Sequence, residues 1–181
     1  QLRALAEDGL DIGFVRLPVG EGAGDLSFET VLREPLVLAV RRDHPLAGQA
    51  TVSLAALAEE TILLYPRPIG TGFYDQVVAL CRAAGFSPRI AERSRQLSTM
   101  VSLVSAGLGV ALVPESLRRV SVEGVVYRRL AGETPTAALA LARRRGGDAP
   151  VAANFVGIVR SVAGRLRNGD DHSNESMDIP S

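Results

Sequence analysis

The chain has 181 residues, 46% of them hydrophobic, so it can bury a core as one domain or as two small lobes. Its 20 acidic residues balance 20 basic ones, all of the latter arginine, and the signs are interleaved, whereas a nucleic-acid surface would need a cationic excess on one segment. One cysteine, Cys81, excludes an internal disulfide framework and a multi-cysteine zinc site, and no run of eighteen apolar residues marks a membrane span. The absence of lysine reads as a compositional habit and is assigned no function.

Leu2 to Asp8 read as the end of a helix closed by Gly9, and DIGFVR, Asp11 to Arg16, as a short strand, the last part of a βαβ unit. With no methionine ahead of a helix end, the chain reads as a fragment whose upstream sequence is missing. QLRALAEDG lacks the charged and apolar regions of a signal peptide. PVGEGAGDLS, 18 to 27, is a Gly-rich loop, and FETVLREPLVLAVRR is extended structure broken into two segments at Pro35. DHPL, 43 to 46, turns; Ser53 caps a short helix over Leu54 to Ala58; TILLY, 61 to 65, is a strand.

Phe73, Val77, Leu80, Cys81 and Ala84 then recur at three- and four-residue spacing with Gly85, Phe86 and Pro88 beyond, which predicts an amphipathic helix with Cys81 on its core face. A short strand near Arg89 to Arg93 precedes a second stripe, Leu97, Met100, Val101, Val104 and Leu108. The chain stops that helix at Gly107, turns at Gly109 into the buried strand VALV, 110 to 113, and starts a brief helix at Pro114 that runs to about Arg119. Residues 122 to 130 and 136 to 142 read as strands, the second apolar enough to be covered on both faces. A final helix carries the stripe Val151, Phe155, Ile158, Val159, Val162 and Leu166, and 168 to 181, with four acids, read as a disordered tail. The alternation of strands and helices gives an α/β class with largely parallel sheets.

Nucleophilic catalysis fits poorly, because His44 sits in a turn before proline and His172 in the tail, and the G-x-S-x-G elbow, the P-loop and H-E-x-x-H are absent. GEGAG, 20 to 24, follows a strand but leads into Asp25 and no helical stripe, which favours a flexible loop over a phosphate cradle. What remains is binding at helix starts, where unpaired N–H groups and the macrodipole favour a carboxylate or phosphate. YPRPIGTG, 65 to 72, leads into one helix, with Thr71 supplying a hydroxyl and Gly70 and Gly72 allowing close approach. The other helix starts near Gln96 to Thr99, where Ser98 and Thr99 either donate outward or cap their own helix. Both starts follow strands, and open α/β sheets bind ligands at the carboxyl ends of strands, where Arg16 also sits. Arg16 has an ion-paired alternative, and Phe73 fits the helix stripe as well as a ligand contact.

DGLDIGFVR (8 to 16), LVLAVRRDHPLA (36 to 47), LLYPRPIGTGFYDQVVALCRAAGFSP (63 to 88) and LVSAGLGVALVPES (103 to 116) together resemble the effector-binding region of LysR-type transcriptional regulators, over roughly 2 to 167. LLYP with its Pro/Gly loop and aromatic is similar to regulators of aromatic-compound degradation that sense muconate or benzoate. The resemblance implies a fold like type 2 periplasmic binding proteins: two Rossmann-like α/β lobes, the first strand and helix of lobe I missing here, with crossings near Leu32 to Leu36 and Thr134 to Ala138. Lobe I would be 1–33 plus 136–167, lobe II 34–135. It implies effector contacts at Arg16, Thr71, Gly72, Phe73, Gln96, Leu97 and Ser98, to which the helix-start argument adds Thr99. It further implies a cytoplasmic, non-enzymatic regulatory domain without cofactor or metal, taking a small anionic effector, assembling as homodimers or tetramers and touching DNA only through a missing N-terminal winged helix-turn-helix. The alternative is a transport solute-binding protein of the same fold.

Overall fold

The structure is a computed structural model that describes residues 1–19, 24–92, 94–146 and 150–169. Most of the GEGAG loop, and the expected tail beyond residue 169, lie outside the described residues. In chain order the elements are α1 (Leu2–Ala6), β1 (Ile12–Leu17), β2 (Leu26–Arg41), β3 (Thr51–Val52), β4 (Thr61–Leu64), α2 (Thr71–Ala83), β5 (Arg89–Glu92), α3 (Leu97–Ser105), β6 (Ala111–Pro114), β7 (Val125–Leu130), β8 (Thr136–Arg144) and α4 (Pro150–Gly169). Single 3-10 turns occupy 45–48, 54–57, 67–69 and 115–119, so the short helices expected after Ser53 and Pro114 are the tighter form. Ser53 does cap its turn, its Oγ accepting from the Ala55 N–H.

Helix ends follow the glycine grammar of the sequence. After α2 the Gly85 N–H reaches the Arg82 carbonyl and the Phe86 N–H the Cys81 carbonyl, with Gly85 at φ +91°. After α3 the same pair of bonds runs from Gly107 to Val104 and from Leu108 to Leu103. Both are Schellman closures, which need a left-handed residue and favour glycine. Closure at Gly107 takes Leu108 out of the helical stripe, and its side chain is exposed. After α1 the left-handed residue is Asp8, not the expected Gly9, whose N–H bonds to the Ala4 carbonyl.

The chain divides into two compact units. Unit 1 comprises Gln1–Val15, Gly22–Leu32 and Leu139–Ser181. Its sheet sets β8 between β1 and the first half of β2. Val31, Leu141, Val156 and Ala163 form one apolar cluster, and Leu5, Leu26 and Ala142 another. On α4 the core side is Ala152, Val156 and Ala163, while Val151, Phe155, Ile158, Val162 and Leu166 of the expected stripe are exposed. The apolar arc of α4 is wider than the surface that it meets, and its small and branched residues take the contact. Phe155 meets the exposed Phe14 edge to face, with ring centroids 6.3 Å apart.

Unit 2 comprises Arg16–Glu21 and Arg33–Ala138, so of the described residues 16 to 19 cluster here, whereas the sequence reading sets them in the first lobe. The second half of β2 runs antiparallel to β6 (Leu36↔Pro114) and to β7 (Val37↔Arg129), and β3 joins β7 in parallel. β4 pairs β5 in parallel. The sheet is therefore mixed, not largely parallel, because a strand buried on both faces has the same apolar composition whichever way it runs. Nor does Pro35 divide β2. It lies just ahead of the β6 and β7 ladders, where its missing N–H removes none of their bonds. Leu36 to Val40, Ile62 to Tyr65, Phe73, Val77, Cys81, Met100, Val101, Val104 and Val110 to Val113 pack as one core.

Gly109, at φ +150°, lies so close to the Thr61 carbonyl that any Cβ there would collide with backbone. Gly109→Ala is expected to cost about 2 kcal/mol or more, measured by urea unfolding, with Gly48→Ala, in open space at an ordinary φ, as a near-neutral control.

Candidate functional site

The pairings of unit 2 gather several loops at one edge. β4 and β5 run in parallel to their last pair, Leu64↔Glu92, and Ile62 makes a parallel bridge to Val110 just before β6. The carboxyl ends of β4, β5 and β6 therefore face the same way, and α2, α3 and the 115–119 turn all leave from that side. Because β2 runs against β6 with Leu36 opposite Pro114, Glu34 and Pro35 arrive at the same edge.

Both helix starts there are uncapped. Neither Gly70 ahead of α2 nor Gln96 ahead of α3 makes a side-chain cap bond, and neither first turn holds an acid. The first intrahelical bonds are Tyr74 N–H to the Gly70 carbonyl and Met100 N–H to the Gln96 carbonyl, so the amides of 71–73 and 97–99 precede the helical ladder. Ser98 and Thr99 are exposed and do not cap their helix; Gln96 is exposed and Leu97 half-buried against the core. Thr71 Oγ1 donates to the Arg67 carbonyl at 3.1 Å, so this hydroxyl is engaged within its own loop. Arg67 in turn forks onto Asp75 at 2.7 and 2.8 Å, fastening the loop to α2 and holding the Asp75 carboxyl below its ordinary range.

The glycines of the loop act differently from expectation. The Tyr65 ring closes on Gly70 and the Pro18 carbonyl on Gly72, so the groups that approach closely belong to the chain itself. Phe73 is 1% exposed and packs on Tyr65 with ring centroids 5.6 Å apart. Of its two readings the core one holds, since a ring enclosed on the stripe side of α2 presents no face to a ligand.

Glu34 was not singled out from the sequence, yet it is the one buried charged side chain among the described residues. Its Oε2 accepts from the Ser116 N–H at 2.7 Å and its Oε1 lies 3.6 Å from Arg16 Nη1. That Nη1 is buried and makes no hydrogen bond. Arg16 also acts on the Tyr65 phenol, which burial pushes up to about 12 against the opposing influence of the guanidinium charge. The signal in the sequence was an acid beside a proline within an apolar strand. The edge thus combines six amides outside the helical ladders, two exposed hydroxyls and a guanidinium short of acceptors, a set suited to a small anion. No group of three or more His, Cys, Asp or Glu able to hold a metal occurs among the described residues.

Residues 1–164 match the LysR substrate binding domain family. The chain belongs to that family. The regulator BudR of Raoultella terrigena is 38% identical over 144 residues, 80% of this chain and 49% of BudR. The effector binding domain of a BenM variant superposes with a TM-score of 0.78 at 26% identity, covering 92% of this chain and 76% of that one. Full-length CbnR complexed with its target DNA gives 0.76 at 27% identity, covering 90% and 56%. This LysR domain spans about half the length of the curated relatives it matches, and those relatives are regulators, not transport proteins. Among the described residues no helix is long and apolar enough to cross a membrane.

Two measurements probe the edge. Glu34→Ala strips the Ser116 amide and Arg16 of their acceptor; with Arg16 a quarter exposed, the expected loss in urea unfolding is about 2 kcal/mol, and Glu34→Gln should recover part of it through the amide bond. Tyr65 keeps its proton in the fold up to about pH 12 but releases it near 10 when unfolded, so the unfolded state binds fewer protons in that window. Stability should therefore fall from about pH 10 to 12, and Tyr65→Phe should flatten that slope.

Proposed function

We propose that this LysR domain is the effector-sensing part of a transcription regulator and that its effector is a small carboxylate seated at the carboxyl edge of β4, β5 and β6. The observation that carries this is the delivery of two uncapped helix starts to one edge beside Arg16. A carboxylate there would accept from the amides at 97–99 and from the Ser98 and Thr99 hydroxyls. The 71–73 amides would take part through their backbone, while the ring of Phe73 serves packing. The Arg16 guanidinium, a quarter exposed, supplies positive charge beside these amides.

DNA contact falls to a winged helix-turn-helix outside the described residues, and the domain acts in the cytoplasm, in dimers or tetramers, without catalysing a reaction. Its part is to convert occupancy into a shift between arrangements of the whole regulator, which requires different affinities for the effector in the two states. The kinship with BudR, a regulator, supports this reading.

Calorimetry with benzoate and cis,cis-muconate on this chain tests the site. Ser98→Ala is expected to weaken binding about tenfold, the effect of one hydrogen bond to a charged group at about 1.5 kcal/mol, with unfolding unchanged because Ser98 caps nothing. Loss of stability without loss of affinity, or indifference of the parent chain to both acids, would refute the assignment.

A further inference from the structure

His44 is a titratable side chain that the edge site does not use, and both of its ring nitrogens are engaged. It stands just ahead of the 45–48 turn in extended backbone, at φ −68° and ψ 142°, the position of a capping residue. Its Nδ1 accepts from the Leu46 N–H at 3.2 Å, and its Nε2 lies 3.3 Å from Glu60 Oε2. A ring nitrogen that accepts carries no proton, and one that faces a carboxylate oxygen must donate. The arrangement therefore requires the neutral imidazole with its proton on Nε2.

The two contacts tie together segments that share no strand ladder. The 45–48 turn joins β2 to β3, which lie with β7 in one sheet, whereas Glu60 immediately precedes β4, which pairs β5 in the other. The turn also carries Leu46 and Ala47 into the core. Of the other charges near the ring, Asp43 is paired with Arg41, Glu59 lies 3.4 Å from Arg89 of β5, and Arg42 is exposed. Arg128 of β7 donates from its Nε to the Ala47 carbonyl at 2.7 Å, so it holds the far end of the turn whatever the charge on His44. Glu60 is the carboxylate that meets the imidazole.

We propose that His44 is a proton-operated latch on the turn between β2 and β3: neutral, it bonds the Leu46 amide and Glu60 at once, and protonated, it keeps Glu60 and releases Leu46. Protonation adds a hydrogen at Nδ1, opposite the Leu46 N–H, and two donors cannot share that gap of 3.2 Å. The Nε2–H stays on Glu60 and becomes part of a charge-assisted bond, so the ring turns towards the carboxylate and the first amide of the turn is set free. About a fifth of the side chain is exposed, which gives solvent protons access, and histidine is the side chain that ordinarily changes charge between pH 5 and 8. The inference is independent of the edge site, because Glu60 stands at the amino end of β4 and the edge at its carboxyl end.

The test is 15N spectroscopy of histidine rings and backbone amides from pH 8 to pH 5, on the parent chain and on His44→Asn and His44→Gln. His44 and His172 are the two histidines, so the ring signals missing from His44→Asn are those of His44. At pH 8 the expected His44 ring carries its proton on Nε2 and none on Nδ1. On acidification the Leu46 amide should shift in step with that ring. Its solvent exchange, corrected for the pH dependence of exchange itself, should quicken about fivefold, the factor that corresponds to a cap of about 1 kcal/mol. His44→Asn sets a neutral acceptor where Nδ1 stands and should keep Leu46 protected across the range. His44→Gln sets its amide nearer Glu60 and should leave Leu46 exchanging fast even at pH 8. A ring protonated on Nδ1 at pH 8, a Leu46 amide that does not respond while the ring titrates, or the parent's acid response persisting in His44→Asn would each overturn the latch.

Discussion

The Val110 bridge to β4 is the constraint on which the rest of unit 2 depends. The Val110 N–H donates to the Thr61 carbonyl at 2.9 Å, and the Val110 carbonyl accepts from the Leu63 N–H at 2.8 Å. Those two bonds seat β6 alongside β4, while β5 takes part in the parallel β4–β5 ladder from Thr61↔Arg89 to Leu64↔Glu92. Gly109 must pass beneath the Thr61 carbonyl to bring Val110 there, which a side chain would forbid. Once this is done, the directions of three strands agree, and three following segments have no choice but to leave from one side. Two of those segments start helices with unpaired amides, so backbone topology alone concentrates positive potential at that edge before any charged residue is counted.

The charged residues then refine that potential without cancelling it. Glu34 would neutralise the edge if its carboxylate were free, but one oxygen is committed to the Ser116 amide and the other faces Arg16 at a loose 3.6 Å. A pair at that separation leaves the guanidinium with unused donors. By contrast, Arg67 and Asp75 are matched in a two-pronged pair at 2.7 and 2.8 Å and are largely exposed, so they add little stability while setting where the 65–70 loop lies on α2. Tight pairing holds a loop in place, and loose pairing leaves a cation available.

The legible parts of the sequence were those written in local chemistry. The Schellman glycines Gly85 and Gly107, the Ser53 cap, the stripes of α2 and α3 and the apolar run of β8 all express rules that act within a few residues, and each appears where its pattern lies. Strand direction was not legible, since Leu36 to Val40 would read identically in a parallel or antiparallel setting. The apolar stripe of α4 points to the wrong face, because its arc exceeds one contact and the sequence does not say which part is covered. At the edge, Gln96 to Thr99 could be found from the helix start, but Glu34 and Ser116 stand 82 positions apart and meet only through the β2–β6 register. Gly70 and Gly72 announced close approach correctly and its partner wrongly, because a glycine admits a ligand and a neighbouring loop on the same terms.

The position of Glu34 also depends on residues that do not touch it. Side chains alternate along a strand, so Arg33 and Glu34 can serve different faces only if the register of β2 is held. Leu36↔Pro114 and Val37↔Arg129 hold it, and those pairs begin the buried run from Leu36 to Val40 that no polar residue interrupts. A slip by one residue would carry Arg33 to the place beside Ser116, take Glu34 away from it, and push Val40 out to the exposed place of Arg41. The energy that prevents this comes from the apolar run, not from the charges, whose own pairing is loose. Core packing in β2 therefore decides which charge the edge receives, although the packed residues themselves stand outside it.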